Sequence, residues 1–236
     1  MPRSTLIGTL KEHSLHAAIK ASLSKPGDLV EQQVDGYQID IQRGELLIEI
    51  QTANFSSLKT KLGKLLENYR VLLVHPIAET KWIVKQNKRK REISRRKSPK
   101  RGRVEHLFDE LLSIPQLAAH PNFAFMVLLT EVEEIWRNDG RGSWRRKHWS
   151  IVDRRLVEII GSQYFESPKD YLNLLPSELP NPFTHRQLAK AIGAPVWTST
   201  RMSYCLRKMG CLETVGKEGR SLLLARPQAI DTISAA

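Results

Sequence analysis

Two acidic side chains in the N-terminal third of the chain have the spacing of a metal site. Asp40 and Glu49 lie in neighbouring segments rich in β-branched residues, and Gln51 follows Glu49 two positions later. Mg²⁺ usually takes one or two carboxylates together with phosphate oxygens and waters. A metal held in this way polarises a phosphodiester and lowers the pKa of a bound water. The pattern predicts Asp40, Glu49 and Gln51 as catalytic residues, with the two acids binding Mg²⁺ or Mn²⁺.

The positions of these residues follow from a predicted β-hairpin. Strands are predicted over 37–42 and 45–52, with a two-residue turn at Arg43-Gly44 between them. Side chains alternate along a strand, so that Asp40 and Glu49 each lie on the polar face of their own strand. With this turn, the two acids are diagonal neighbours about 7–8 Å apart at the backbone.

The surrounding elements carry a resemblance to a known superfamily. Apolar spacing predicts a helix over 4–24, a further strand over 29–34 that ends in the turn Asp35-Gly36, a helix over 56–68 and a buried strand over 70–77. This order, with a D-x₈-E-x-Q motif on the hairpin, resembles the core of the PD-(D/E)XK nucleases over about residues 5–87. The resemblance implies an α/β fold in which helices flank a mixed sheet.

The resemblance also bears on residues around the two acids. It implies that Glu12, on the first helix, completes the metal shell and is catalytic. His16, one helical turn later, could contact phosphate or support Glu12. His75, near the end of the buried strand, is a weaker candidate. Gln51 stands where the superfamily usually has a lysine, and an amide holds water without supplying positive charge. Three lysines on the following helix could supply that charge, and the spacing does not choose among them: Lys59, Lys61 and Lys64.

The middle of the chain predicts an extension of this core. One further strand is predicted over 81–86, and residues 88–103 hold ten basic residues in sixteen, which favours an exposed loop or frayed hairpin. The remaining segments predict a helix over 104–112, a long strand over 123–137, a helix over 150–160 capped by Ser150, and a proline-rich linker over 173–182.

The C-terminal segment resembles a winged helix. Helices are predicted over 185–192 and 198–209, followed by a hairpin over 212–225. We therefore expect a nuclease-like domain over 1–179, with its extension at 88–179, and a DNA-binding domain over 180–236, each with its own core. The second helix is expected to expose polar and basic side chains to DNA, and the hairpin two more. These DNA-binding candidates are Thr198, Ser199, Tyr204, Arg201, Arg207, Lys217 and Arg220.

The charge of the chain indicates a polyanionic partner. Its formal net charge is +12, and much of it lies in residues 88–103. A second basic segment, 144–149, interleaves tryptophans with cations suited to phosphates, namely Arg145, Arg146 and Lys147. The two cysteines lack the spacing of a zinc site, and no apolar run is long enough for a membrane span. We expect a cytoplasmic, nucleoid-associated protein.

Together these features predict a metal-dependent DNA endonuclease whose target recognition is aided by a winged helix. Three alternatives fit the same sequence. They are a DNA-binding regulator with an inactive nuclease-like core, a nuclease subunit active only with a protein partner, and an RNA-processing protein. A double-strand cut usually needs two active sites, which makes a homodimer compatible with this interpretation.

Overall fold

The computed structural model describes residues 14–140, 142 and 144–227, and within them one mixed sheet has seven strands. None of the helices in these ranges is long and apolar enough to cross a membrane. The helices are α1 Ser14–Leu23, α2 Lys59–Leu65, α3 Leu107–Leu111, α4 Pro168–Leu172, α5 His185–Ala191 and α6 Val196–Lys208. The strands are β1 Leu29–Val34, β2 Tyr37–Arg43, β3 Leu46–Ile50, β4 Arg70–Gln86, β5 Glu92–Lys97, β6 Phe123–Asn138, β7 Trp149–Phe165, β8 Glu213–Glu218 and β9 Ser221–Ala225.

The sheet has the order β1-β2-β3-β4-β6-β7, and β5 pairs with the second half of β4. Strands β3, β4 and β6 are parallel, whereas β1, β2, β5 and β7 each pair antiparallel with a neighbour. Parallel strands need a crossover, which α2 provides between β3 and β4. The apolar start of β4 is buried on both faces, as the continuous apolar run predicts.

Helices cover both faces of the sheet. Leu15 and Ile19 of α1 pack with Ile48 and Leu72 on one face. Leu62 of α2 and Leu73 of β4 belong to a larger cluster on the other face. The predicted mixed sheet flanked by helices is therefore confirmed.

The larger cluster continues without a break into the C-terminal helices. It includes Phe125 of β6, Tyr171 of α4, Leu188 of α5 and Met202 of α6. The segment predicted as a linker also contributes, because Leu175 and Leu179 are buried. The expectation that the C-terminal part buries a core of its own is therefore wrong.

Two predictions for the sheet differ from the structure. The segment 150–160 is not a helix but part of β7, which pairs with β6 along nearly its whole length. Its β-branched and apolar residues satisfy a strand as well as a helix, and the ladder to β6 decides between them. The predicted strands at 70–77 and 81–86 are one strand, β4, with a bulge near Ala78. The basic segment 88–103, predicted as an exposed loop or frayed hairpin, contains the hairpin strand β5, whose side chains are all exposed, in agreement with the prediction.

Candidate metal and nucleic-acid site

The hairpin of β2 and β3 has a different register from the one that the sequence predicts. Its turn falls at Gly44-Glu45, so that Arg43 pairs with Leu46 and Ile41 with Ile48. Continued by one residue, this register places Asp40 across from Glu49 instead of diagonal to it. The predicted turn at Arg43-Gly44 is therefore wrong by one residue.

Strand β2 twists at Asp40, which breaks the expected alternation. Ile39 packs in the cluster on one face of the sheet and Ile41 in the cluster on the other. On the neighbouring strand, Glu31 has a φ of 54°, an uncommon value for a residue with a side chain. This twist turns the Asp40 carboxylate toward α1 and the end of β3.

Asp40 is held by groups from two elements, α1 and β3. Its Oδ2 accepts a 2.9 Å hydrogen bond from the backbone N–H of Ile50 and lies 3.2 Å from His16 Nε2. Its Oδ1 is 3.7 Å from Lys20 Nζ. Burial alone would raise the pKa of Asp40, but these hydrogen bonds and charges hold it below its ordinary value. His16 thus contacts Asp40, whereas its predicted roles in binding phosphate or supporting Glu12 stay predictions.

Glu49 is the more unusual of the two acids. It is only 8% exposed, and its Oε1 lies 2.6 Å from Lys61 Nζ. Within the part of the chain that the structure describes, its buried Oε2 has no hydrogen-bond partner. Burial raises the pKa of Glu49, Lys61 lowers it, and the charge of Asp40 raises it again. An unsatisfied carboxylate oxygen in a buried place costs free energy that a bound cation would offset.

Of the three lysines that could supply the missing charge, Lys61 is the one that contacts the candidate site. Leu62 and Leu65, with Leu58 at the start of the helix, form the buried face of α2. Lys61 lies at the edge of that face and contacts Glu49 and the carbonyl of Gln38 on the hairpin. Lys59 is exposed, and Lys64 pairs with Glu67 at 3.5 Å on the solvent side. The structure therefore places a lysine beside Glu49, although Lys61 lies twelve positions after Glu49 in the sequence.

Gln51 and His75 are bound to each other rather than to the acids. The Gln51 side chain donates to the carbonyl of Ala53 at 2.6 Å, and the Gln51 carbonyl accepts from His75 Nδ1 at 2.7 Å. The His75 ring packs against Phe55 and Phe125 at centroid distances of 5.0 and 6.4 Å. Burial lowers the pKa of His75, which favours the neutral ring of a packing residue. A catalytic role for Gln51 stays a prediction.

The two acids suit a Mg²⁺ ion in their donor chemistry. Within the described ranges Glu49 offers a buried oxygen without a hydrogen-bond partner, and the lowered pKa of Asp40 favours its carboxylate form. Glu12, the predicted third ligand, lies outside the described residues. Among residues 14–140, 142 and 144–227, no group of three or more His, Cys, Asp or Glu side chains could hold a metal. Two carboxylates with waters and a substrate phosphate still match what Mg²⁺ usually takes.

Replacement of Lys61 by Met should shift the acid limb of the pH profile of kcat/KM, for the nuclease activity that the sequence predicts, to higher pH. The pKa of Glu49 is already raised, and loss of the Lys61 charge raises it further. A metal needs the carboxylate, so binding is lost as the pH falls through that pKa. We expect an activity loss of about 10–100-fold at neutral pH, measured as kcat/KM against pH. Lys64→Met is the matched control, and equal profiles for both variants would contradict the role of Lys61.

The second C-terminal helix presents a different face from the one predicted. Helix α6 begins at Val196, two residues earlier than expected, and packs on α3 and α5. Thr198 and Ser199 are buried, and the Ser199 hydroxyl donates to the carbonyl of His185 at 2.8 Å. Their predicted exposure to DNA is therefore wrong. The side chains that α6 does expose lie on one stripe and include Trp197, Thr200, Tyr204 and Lys208, with half-buried Arg201 beside them.

The arginines of α6 already have protein partners. Arg201 pairs with Asp109 of α3 at 2.9 Å and lies 4.7 Å from the centre of the Trp197 ring. Arg207 donates to the Thr214 hydroxyl at 3.4 Å. Both arginines therefore help to fix α6 in place. On the hairpin of β8 and β9, Lys217 and Arg220 are exposed, as predicted.

The far end of the sheet carries cations stacked on tryptophans. Arg95 lies 3.8 Å from the centre of the Trp82 ring, and Lys85 lies 4.7 Å from that of Trp149. In the loop between β6 and β7, Trp144 is 76% exposed. The basic candidates of this loop differ in exposure: Arg145 and Lys147 are exposed and Arg146 is half-buried, with its Nε donating to the Trp149 carbonyl at 3.2 Å.

Comparison with known proteins identifies a family. The profile of a family described as "Domain of unknown function (DUF8091)" matches residues 13–166, which span the whole sheet. An uncharacterized protein of Treponema pallidum (strain Nichols) is 30% identical over 218 residues, covering 92% of this chain and 86% of the relative. No solved structure matches. The chain therefore belongs to the DUF8091 family.

Proposed function

We propose that the protein is a divalent-metal-dependent nuclease that hydrolyses phosphodiester bonds in DNA. The observation that carries this proposal is the buried Glu49 on the strand next to Asp40, since one of its oxygens lies against Lys61 and the other has no hydrogen-bond partner among the residues that the structure describes. A buried carboxylate is costly, and groups kept in such strained electrostatic surroundings concentrate at functional sites.

We assign a different role to each residue of the site. Asp40 and Glu49 would hold a Mg²⁺ or Mn²⁺ ion, which supplies Lewis-acid polarisation of the scissile phosphate and a more acidic water. His16 and the Ile50 amide orient Asp40. Lys61 lowers the pKa of Glu49 against the effect of burial, and it would place a positive charge beside the developing negative charge on phosphate.

The order of elements supports an assignment to the PD-(D/E)XK superfamily. Helix α1, the β1–β2–β3 meander, α2 and the parallel β4 follow one another as the superfamily core requires. In the same way, α5, α6 and the β8–β9 hairpin have the order of a winged helix. We propose that these C-terminal elements bind DNA, since Trp197, Tyr204 and Lys208 offer stacking and charge on one exposed stripe.

A direct test is incubation of the full chain with linear, circular, single-stranded and branched DNA and with RNA of the same sequence. Cleavage of DNA should require Mg²⁺ or Mn²⁺, stop in EDTA, and proceed poorly with Ca²⁺, which prefers longer and more numerous oxygen contacts. Robust cleavage in EDTA would refute a metal mechanism. Cleavage of RNA alone would favour an RNA-processing protein.

A second candidate function is a DNA-binding regulator with an inactive nuclease-like core. The hydrogen bonds of the Gln51 side chain to the loop after β3 favour it, because they leave that amide engaged away from the acids. Such a protein would bind DNA equally well with and without Mg²⁺ and leave it intact. A subunit that needs a protein partner would cleave only after that partner is added.

DNA binding through α6 predicts a change in salt dependence. Lys208 and Lys217 are exposed, whereas Arg201 and Arg207 stabilise the fold, so the lysines give the cleaner test. Replacing both with Ala should flatten the slope of log affinity against log salt by about two units. The control is Lys25→Ala with Lys64→Ala, which removes the same charge elsewhere. An unchanged slope and affinity would leave protein interaction as the better account of this region.

A further inference from the structure

A cavity of about 220 Å³ lies beside the candidate metal site, on the face of the sheet that α1 covers. Its wall includes Thr52 and Ala53, which directly follow Gln51, and Leu15, which precedes His16. The rest of its wall is formed by residues of β4, β6 and β7. A water molecule occupies about 30 Å³, so the cavity has room for a phosphate group and several waters.

Three charged side chains from three strands form the polar wall of this cavity. Glu134 of β6 is buried, and its Oε1 lies 3.0 Å from Lys81 Nζ of β4 and 3.3 Å from Arg154 Nε of β7. Its Oε2 accepts a 3.3 Å hydrogen bond from the Trp136 indole. These partners hold the pKa of Glu134 below its ordinary value although burial opposes this. The carboxylate thus fixes two cations at one oxygen.

The cluster retains both charge and hydrogen-bond donors. Two cations and one carboxylate leave a net charge of +1 on the cavity wall. An ammonium has three N–H groups and a guanidinium five. Each cation donates only one of them to Glu134, and within the described residues the side chains of Lys81 and Arg154 make no other hydrogen bond. A planar guanidinium and an ammonium held at one point are suited to phosphate oxygens.

We propose that Lys81 and Arg154 form an anion subsite for a backbone phosphate of the nucleic-acid strand that occupies the metal site. The cavity lies between the end of β3 and the basic far end of the sheet, so a strand bound there would run from the two acids toward Lys85, Trp149 and Trp144. This inference rests on the proposed function, and it assigns Glu134 as the positioning residue of the subsite.

The test is binding of a short DNA duplex or single strand to the full chain in EDTA, where cleavage does not interfere. Lys81→Met with Arg154→Met should flatten the slope of log affinity against log salt by about two units on the strand that enters the site. The control, Lys25→Met with Lys64→Met, removes the same charge from surfaces away from the cavity. Its slope of log affinity against log salt should stay close to that of the wild type. Equal slopes in the two double variants would overturn the subsite.

A third variant distinguishes loss of DNA binding from loss of folding. Removing both cations leaves the buried Glu134 carboxylate with the Trp136 indole but without a cation, which is costly, whereas Lys81→Met, Glu134→Gln and Arg154→Met together leave no charge in the cluster. This triple variant should melt near the wild-type temperature and show the same flattened slope. Wild-type binding by a folded triple variant would reduce the cluster to a structural ion pair. These binding measurements are made in EDTA, so their outcome does not depend on cleavage. Failure of the nuclease proposal would instead appear as DNA that stays intact in Mg²⁺.

Discussion

Asp40→Asn and Glu49→Gln should each reduce DNA cleavage by about 10³-fold or more while leaving DNA affinity within a few fold. Each substitution keeps the size of the side chain and removes one of the two charges that would hold the metal. Asp40 is fixed by Ile50 and His16, and in the part of the chain that the structure describes Glu49 keeps a buried oxygen free of hydrogen bonds. Single-turnover cleavage and binding in Ca²⁺, measured on the same preparations, separate chemistry from affinity.

The matched control for these variants is Glu45→Gln. Glu45 lies in the turn of the same hairpin and is exposed, so its loss changes the net charge equally without reaching the site. It should cleave at the wild-type rate. Wild-type cleavage by either Asp40→Asn or Glu49→Gln would place the chemistry elsewhere in the chain.

Deletion of residues 180–236 is expected to unfold the protein instead of releasing an active nuclease domain. Phe108, Phe165 and Tyr171 pack in the same cluster as Leu188 and Met202, so the truncation would expose them to water. Each large apolar side chain contributes about 1.5–3 kcal/mol when buried, against a typical total stability of about 5–15 kcal/mol.

The truncation is assessed by circular dichroism and thermal melting. Loss of cooperative unfolding is expected in the truncated chain. The control, Lys217→Ala with Arg220→Ala, changes only exposed side chains of the β8–β9 hairpin and should melt like the wild type. A folded truncated chain that retains its melting transition would restore the original expectation of two separate cores.

The sequence predicts best where local chemistry decides the structure. The Asp35-Gly36 turn is found with positive φ at both residues, 49° and 80°, and the strands on either side begin and end within a residue or two of their predicted limits. The apolar start of β4 and the long run of β6 were likewise readable, because buried parallel strands need continuous apolar residues.

Where long-range packing decides, the sequence does less well. Residues 150–160 fit both a helix and a strand, and only the ladder to β6 selects the strand. The burial of Ser199 depends on the carbonyl of His185 on another helix. The pairing of Lys61 with Glu49 depends on how α2 crosses the hairpin. None of these contacts leaves a periodic signal within its own segment.

The central claim is that Asp40 and Glu49 bind a divalent metal, and Mn²⁺ binding to the purified chain tests it most directly because it needs no knowledge of the DNA target. Mn²⁺ titration followed by electron paramagnetic resonance should show a site in the wild type that Asp40→Asn and Glu49→Gln each weaken by at least about tenfold. Glu45→Gln should bind like the wild type. Equal Mn²⁺ affinity in all four proteins, or no binding to the wild type, would contradict the account.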